Sequence, residues 1–344
     1  MPMYFKIGVA LAVALAISVV VTPIIKRVAK RVGAVDVPKD TRRMHSSPMP
    51  MLGGLAIYIG FVAGVLIFAE ITQQVRGILF GSVIIVLVGA IDDVKPIHAI
   101  LKFCIQIVAA MIAVWHGVLV DVLSNPFAIG ASEYINLNSL SIPFTVLWIV
   151  GITNAVNLID GLDGLAVGVS TISSIVMLVI ALMLSEFNVA LIMAALTGAC
   201  LGFIPYNFNP AKIFMGDAGA LLLGYVLSTM SILGLFKFYA VVSFVAPFLV
   251  LALPFIDTSF AFMRRLFKGQ KPWSPDRGHF HHRLLDMGFS HKQVVLILYA
   301  VSLVFGAAAV IVATSGEIKI LIWVAALVVA AVVVFLVFKG KKAS

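Results

Sequence analysis

Apolar stretches of about twenty residues recur from one end of this chain to the other, each long enough to cross a hydrocarbon core of roughly 30 Å as a helix. Such stretches leave few architectures open. Backbone N–H and C=O groups in lipid find partners only inside helices or closed barrels, and apolar runs of this length are helical. The composition agrees: 62% of the 344 residues are hydrophobic and only 11% are charged, against about 25% charged in an ordinary soluble domain. The longest polar segment, about thirty residues, is too short for an independent domain. Cys104 and Cys200 both lie in apolar runs and read as buried small hydrophobes, with no disulfide framework.

The fold class expected is an all-α polytopic membrane protein forming a single integral membrane domain over residues 1–344. Eleven spans are expected, near 5–25, 51–69, 77–91, 99–119, 141–159, 164–184, 188–205, 218–235, 240–263, 293–314 and 320–338. Pro247 and Pro254 predict a kink in the ninth. The first run is followed by Lys26, Arg27, Lys30 and Arg31, the reverse of a secretory signal's polarity, so it reads as a retained span.

Eleven crossings put the termini on opposite sides. Segments 26–50, 92–102, 154–163, 206–217 and 264–292, with the tail after 338, hold all the lysines and arginines except Lys6, Arg76, Lys237 and Lys319. The positive-inside rule makes that face cytoplasmic, with the N-terminus outside and the C-terminus inside. All four glutamates and Asp121 fall on the other face, while ten aspartates and six of seven histidines fall on or near the basic face. Short carboxylates gathered on one face suit positioned ligands better than solubilising charge. The outer connections are short apart from 120–140, which reads as a small hairpin.

Five polar segments interrupt the apolar pattern on the basic face. In "NAVNLIDGLDGLAVG", Asn154, Asn157, Asp160 and Asp163 recur at every third residue. An unbroken helix would carry that series halfway round its axis, so Gly161 and Gly164 are expected to break it into a turn between two spans. Helix capping accounts for one or two of these four groups, not for all. In "GAIDDVKPIH", Asp92 and Asp93 are adjacent, and Lys102 follows. Two neighbouring carboxylates raise each other's pKa unless a metal, a basic partner or a proton intervenes. In "FMGDAGALLLG", Asp217 opens a glycine-rich span and Phe214 precedes it, suited to N-capping, to an anion at a helix end, or to stacking on a flat ligand. In "DRGHFHHRLLD", His279, His281, His282 and Arg283 follow Asp276 and Arg277; the spacing fits no common zinc site and suits a phosphate or an anionic surface. The fifth, "GAVDVPKDTRRMHSSPMPMLGG", is a basic loop carrying Arg42 and His45. Together they supply carboxylates for a divalent cation, cations for phosphates and an aromatic for a base. Nothing points to nucleic acid.

With "IDD", "NAVNLIDGLDGLAVG", "FMGDAGALLLG" and "HFHHRLL" in this order, the chain resembles the polyprenyl-phosphate N-acetylhexosamine-1-phosphate transferases over about residues 23–293. The His-x-His-His-Arg form is similar to the branch that starts teichoic acid, O-antigen and related surface glycans, rather than the phospho-MurNAc-pentapeptide branch. The resemblance implies a plasma-membrane enzyme acting on the cytoplasmic face. It would transfer a sugar 1-phosphate from a UDP-N-acetylhexosamine, foremost UDP-GlcNAc, to polyprenyl (undecaprenyl) phosphate, with Mg²⁺ (or Mn²⁺) and release of UMP. A homodimer is compatible with it. It further implies Asp217 as a metal ligand, Asp92 and Asp93 as an essential metal-proximal pair with Asp92 as the base, and Lys102 rather than Lys95 on phosphate. Asn157 would lie near the pyrophosphate, Asp160 beside it, and Asp163 and Phe214 on uracil. His279, His281, His282 and Arg283 would close over the donor, with His279 in the chemistry, and His45 and Arg42 would meet the lipid phosphate. Two other classes share single features. A secondary transporter would carry its ionisable groups near the midplane and show an internal repeat; a CDP-alcohol phosphotransferase would carry further spaced aspartates.

Overall fold

The computed structural model describes residues 2–37, 48–124, 134–234, 242–267, 269 and 278–315. Among these, the helices are α1 (Met3–Val32), α2 (Gly53–Phe68), α3 (Gln73–Val94), α4 (Ala99–Trp115), α5 (Ser141–Ile159), α6 (Leu165–Met183), α7 (Phe187–Asn207), α8 (Gly216–Gly234), α9 (Val242–Val250), α10 (Ala252–Phe267), α11 (Phe280–Asp286) and α12 (His291–Ser315). Seven are long and apolar enough to cross a membrane, which makes this an all-α polytopic membrane protein. The first eight expected spans fall on α1 to α8 and the tenth on α12. The ninth is two helices, α9 and α10, parted at Leu251; Pro254, which has no N–H to donate, sits in the first turn of α10, where none is needed. The eleventh expected span, and Arg42, His45, Asp276 and Arg277, lie outside the described residues.

Helix α8 is the axis of the bundle. It is apolar all round and buried along nearly its whole length, as a helix enclosed by others should be. Helices α1, α2 and α7 close one flank at backbone contact. A Cβ on Gly202 of α7 would sit 2.5 Å from the Leu15 carbonyl oxygen of α1, and one on Gly64 of α2 would sit 2.7 Å from the Ala195 Cβ of α7. Small residues at such crossings let van der Waals packing hold helices together in lipid, where no hydrophobic effect drives their association.

Two short antiparallel ladders flank the helices. Strands β1 (Val35–Asp36) and β2 (Met49–Pro50) pair at one end, just beyond the α1 terminus at Gly33, whose positive φ of 79° closes the helix. Strands β3 (Val122–Ser124) and β4 (Tyr134–Asn136) form the ladder expected within 120–140. Because α3, α5, α7 and α10 end where α4, α6, α8 and α11 begin, the polar segments collect at one end of the bundle.

Candidate active site

Asp217 is the hub of that end. It stands in the first turn of α8, where the helix has free N–H groups. Asp93, at the last turn of α3, reaches across and accepts them: its Oδ1 takes the Asp217 amide at 2.8 Å and its Oδ2 the Ala218 amide at 3.2 Å. Gly216, at φ 71°, lets the chain turn into α8 with the Asp93 carboxylate pressed where a side chain would be. Asp93 is 8% exposed, and both its oxygens lie on backbone amides. The structure therefore separates the Asp92–Asp93 pair. Asp93 is a helix cap from a neighbouring helix, with one oxygen on each of the two α8 amides it reaches.

Asp92 turns the other way. Its Oδ1 accepts the Ile97 amide at 2.8 Å and its Oδ2 lies 2.9 Å from Lys102 Nζ. The same ammonium bonds Asp217 Oδ2, so Lys102 of α4 bridges the two carboxylates. Of the ways to relieve crowded carboxylates, this fold uses a basic partner. Asn157, two residues before the end of α5, donates to Asp217 Oδ1 at 2.9 Å.

On the far side of Asp217 opens a cavity of about 400 Å³, within the range typical of small-molecule sites. Asn157, Asp160, Asp163, Phe214, Asp217 and His282 line it, all expected site residues. Asp36, Met51, Asn207, Asn209 and His291 also line it and were not foreseen. Burial pushes the Asp160 carboxyl up to about 8, reinforced by the nearby charges of Asp217, Asp93 and Asp163.

The four polar residues of the 154–163 series have four different surroundings. Asn154 pairs with Gln106 of α4 through both amide groups and holds α4 to α5. Asn157 reaches Asp217, and Asp160 faces the cavity. Asp163 Oδ2 accepts the Asn209 side chain and the Ala211 amide, each at 3.0 Å, and so ties the α5–α6 turn to the segment entering α8. Asn207, 3% exposed, doubles that tie by accepting the Gly164 amide and donating to the Ile213 carbonyl. Phe214 is set by a backbone ladder, its amide on the Pro50 carbonyl and its carbonyl on the Gly53 amide.

The histidine segment divides. His282 lines the cavity. His279 is buried against Asp257 of α10, with Nδ1 2.8 Å from Oδ2. His281, 3% exposed, stacks on His279 with ring planes 10° apart and reaches the α5–α6 turn, where a Cβ on Gly161 would lie 2.6 Å from its Nε2. Burial, aided by His282, lowers His281 to about 4, so it is neutral at pH 7. Arg283 is exposed and is not among the cavity's lining residues. The expected four-residue cation clamp is thus a stack of rings with one member on the cavity.

Among the described residues, no three His, Cys, Asp or Glu side chains converge as a metal cage. Mg²⁺ does not require one, since it takes one or two carboxylates and completes its shell with phosphate oxygens and water. Asp217 and Asp92, whose oxygens already converge on the Lys102 cation, provide such a donor set.

The family model for glycosyl transferase family 4 matches residues 75–235. Over 89% of its length the chain is 41% identical to a Bacillus subtilis (strain 168) protein named a probable undecaprenyl-phosphate N-acetylglucosaminyl 1-phosphate transferase, covering 83% of it. It is 38% identical to a decaprenyl-phosphate N-acetylglucosaminephosphotransferase of Mycolicibacterium smegmatis, covering 89% of this chain and 82% of the relative. It is 34% identical to a phospho-N-acetylmuramoyl-pentapeptide-transferase of Staphylococcus aureus (strain MSSA476), covering 76% and 84% respectively.

Proposed function

We propose, because this chain belongs to the polyprenyl-phosphate N-acetylhexosamine-1-phosphate transferases of glycosyl transferase family 4, that it transfers GlcNAc-1-phosphate from UDP-GlcNAc to undecaprenyl phosphate and releases UMP. The observation that carries this reading is the double engagement of Asp217. It lines the 400 Å³ cavity on one side and meets Lys102 and Asp92 on the other. A nucleotide-sugar in the cavity would bring its pyrophosphate to Asp217. A lipid phosphate entering along α4, whose Ile100, Leu101 and Phe103 are exposed, would arrive at Lys102.

In this proposal the uracil stacks on Phe214 beside the turn held by Asp163, and Asn157 with His282 borders the phosphates and sugar. Lys102 holds the lipid phosphate. An oxygen of that phosphate attacks the β-phosphorus in line, and the bond to the UMP oxygen breaks as the new phosphoanhydride forms. One such bond is made as one is lost, so the reaction is close to balanced and reversible. The lipid phosphate is already largely ionised at pH 7, so positioning and charge neutralisation matter more than proton removal. Mg²⁺, held by Asp217 with Asp92, would neutralise the pyrophosphate and the departing UMP. Direct attack is favoured because the bound lipid phosphate is itself an ionised oxygen nucleophile and needs no protein nucleophile. Isolation of a covalent phospho-sugar enzyme in the absence of lipid would contradict it.

The eleven-span topology, with the N-terminus outside and the site on the cytoplasmic face, belongs to the same proposal and rests on the basic residues at the site's end of the bundle. Labelling of single cysteines introduced at Lys212 and at Lys6 from either side of sealed vesicles, with the exposed Cys104 and the buried Cys200 replaced, tests it. A donor panel that includes UDP-MurNAc-pentapeptide tests the sugar.

A further inference from the structure

Helix α10 grips the chain just before α11 at two points. Arg264 Nη1 donates to the Gly278 carbonyl at 3.1 Å. Asp257, seven residues earlier and so on the same helix face, accepts the Phe280 amide on Oδ1 at 2.8 Å and meets His279 Nδ1 on Oδ2 at 2.8 Å. Asp257 is 3% exposed and His279 6% exposed, and neither is among the residues lining the cavity. A carboxylate this buried is costly unless its oxygens are bonded, and here each has a partner. With Nδ1 donating to Asp257, the tautomer and the ring plane of His279 are both set. His281 stacks on that plane and touches the Gly161 turn that carries Asp160 and Asp163, while the next residue, His282, faces the cavity.

We propose that Asp257 is a positioning residue of the donor site: it fixes His279, and through the His279–His281 stack it holds the 279–282 segment in the place that presents His282 to the nucleotide-sugar. The proposal deepens the donor-site reading above and rests on it. Asp257 acts at one remove and touches no reacting atom. Its effect therefore belongs to the donor and not to the lipid.

The experiment uses the full-length enzyme in detergent, with Asp257→Asn, His279→Ala, their double variant and His279→Asn, whose amide can donate to Asp257 as Nδ1 does. Asp257→Asn retains an oxygen for the Phe280 amide, and thermal unfolding checks that each variant is folded. Asp257→Asn and His279→Ala should each raise the KM for UDP-GlcNAc about ten- to hundredfold, the scale of a small misplacement, with the KM for undecaprenyl phosphate unchanged. The double variant should be no worse than His279→Ala, because both remove one interaction, and His279→Asn, which keeps the bond to Asp257 but not the stacked ring, should recover part of the loss. Multiplying losses, equal changes in both KM values, or wild-type kinetics in Asp257→Asn would each overturn the proposal. The bond can also be tested without substrate. A far-downfield Nδ1 proton in imidazole-¹⁵N-labelled enzyme, lost in Asp257→Asn, is expected, and its absence from the wild type contradicts the dyad. If the wild type bound no UDP-GlcNAc while this resonance was present, the donor reading would have failed and the dyad would stand.

Discussion

Replacing Asp93 by asparagine separates a cap from a catalytic group. The native carboxylate accepts the Asp217 and Ala218 amides at 2.8 and 3.2 Å at the first turn of a buried helix. Hydrogen bonds to a charged acceptor contribute about 1.5–3 kcal/mol each, and a carboxylate at a helix N-terminus adds up to about 2 kcal/mol in partly buried settings. Asparagine keeps one oxygen, loses the charge and turns an N–H₂ group toward the second amide. A stability loss of about 2–4 kcal/mol follows from losing one charged bond and most of the dipole term. Since Asp217 is the residue whose amide is held, its carboxylate moves with the frayed turn, and turnover should fall about a hundredfold or more. The assay is thermal unfolding in detergent beside UMP release. The two losses should appear together, and Asp93→Glu should restore neither, because Gly216 leaves no room for a longer side chain. An Asp93→Asn enzyme with wild-type thermal stability and no activity would refute the cap and return Asp93 to the chemistry.

Lys102→Met leaves Asp92 and Asp217 facing each other without their shared cation, and kcat should fall about 10²–10³-fold, the equivalent of about 3–4 kcal/mol; a fall in affinity for lipid phosphate alone would contradict the bridge. Asp163→Ala should chiefly raise the KM for UDP-GlcNAc by loosening the 209–211 segment, whereas Asp217→Ala should abolish turnover; equal kinetic profiles for the two would refute their separate roles. Asn154→Leu, which breaks the tie to Gln106 and the bond to the Val150 carbonyl, should lower thermal stability by about 1–3 kcal/mol and leave KM values near wild type. His281 is held at about 4 against an ordinary 6.5; a folded-state pKa below the unfolded one gives stability that is whole above 6.5 and lost as pH falls toward 4. Thermal midpoints measured from pH 7.5 to 4 should therefore drop more steeply in the wild type than in His281→Gln, and parallel curves would contradict a buried neutral His281.

The first eight spans and the tenth were legible because apolar length is a one-dimensional property, and so was the turn at Gly161–Gly164, because a three-residue spacing cannot stay on one helix face. Part of the cavity lining was legible for the same reason: Asn157, Asp160, Asp163, Phe214 and Asp217 are polar or aromatic groups placed at or just beyond the ends of apolar runs. What the sequence hides is which helix end meets which. Asp92 and Asp93 read as one pair, yet a one-residue step turns their side chains about 100° apart, one toward α4 and the other toward α8. Asn154 looks equivalent to Asn157 until α4 brings Gln106 against it. Asp257 is a lone acid within an apolar run; the signal that could have found it is its seven-residue spacing from Arg264, which puts a buried acid and a half-buried base on one stripe of α10. His291 gave no signal beyond its place at the start of an apolar run.

The most direct test of the transferase reading is UMP release by the purified protein in detergent with Mg²⁺, undecaprenyl phosphate and UDP-GlcNAc, beside controls lacking each component. The account predicts UMP and undecaprenyl-diphospho-GlcNAc in equal amounts, only when all three are present. No release from folded protein across the whole UDP-sugar panel, with a known transferase active in the same assay, would contradict it.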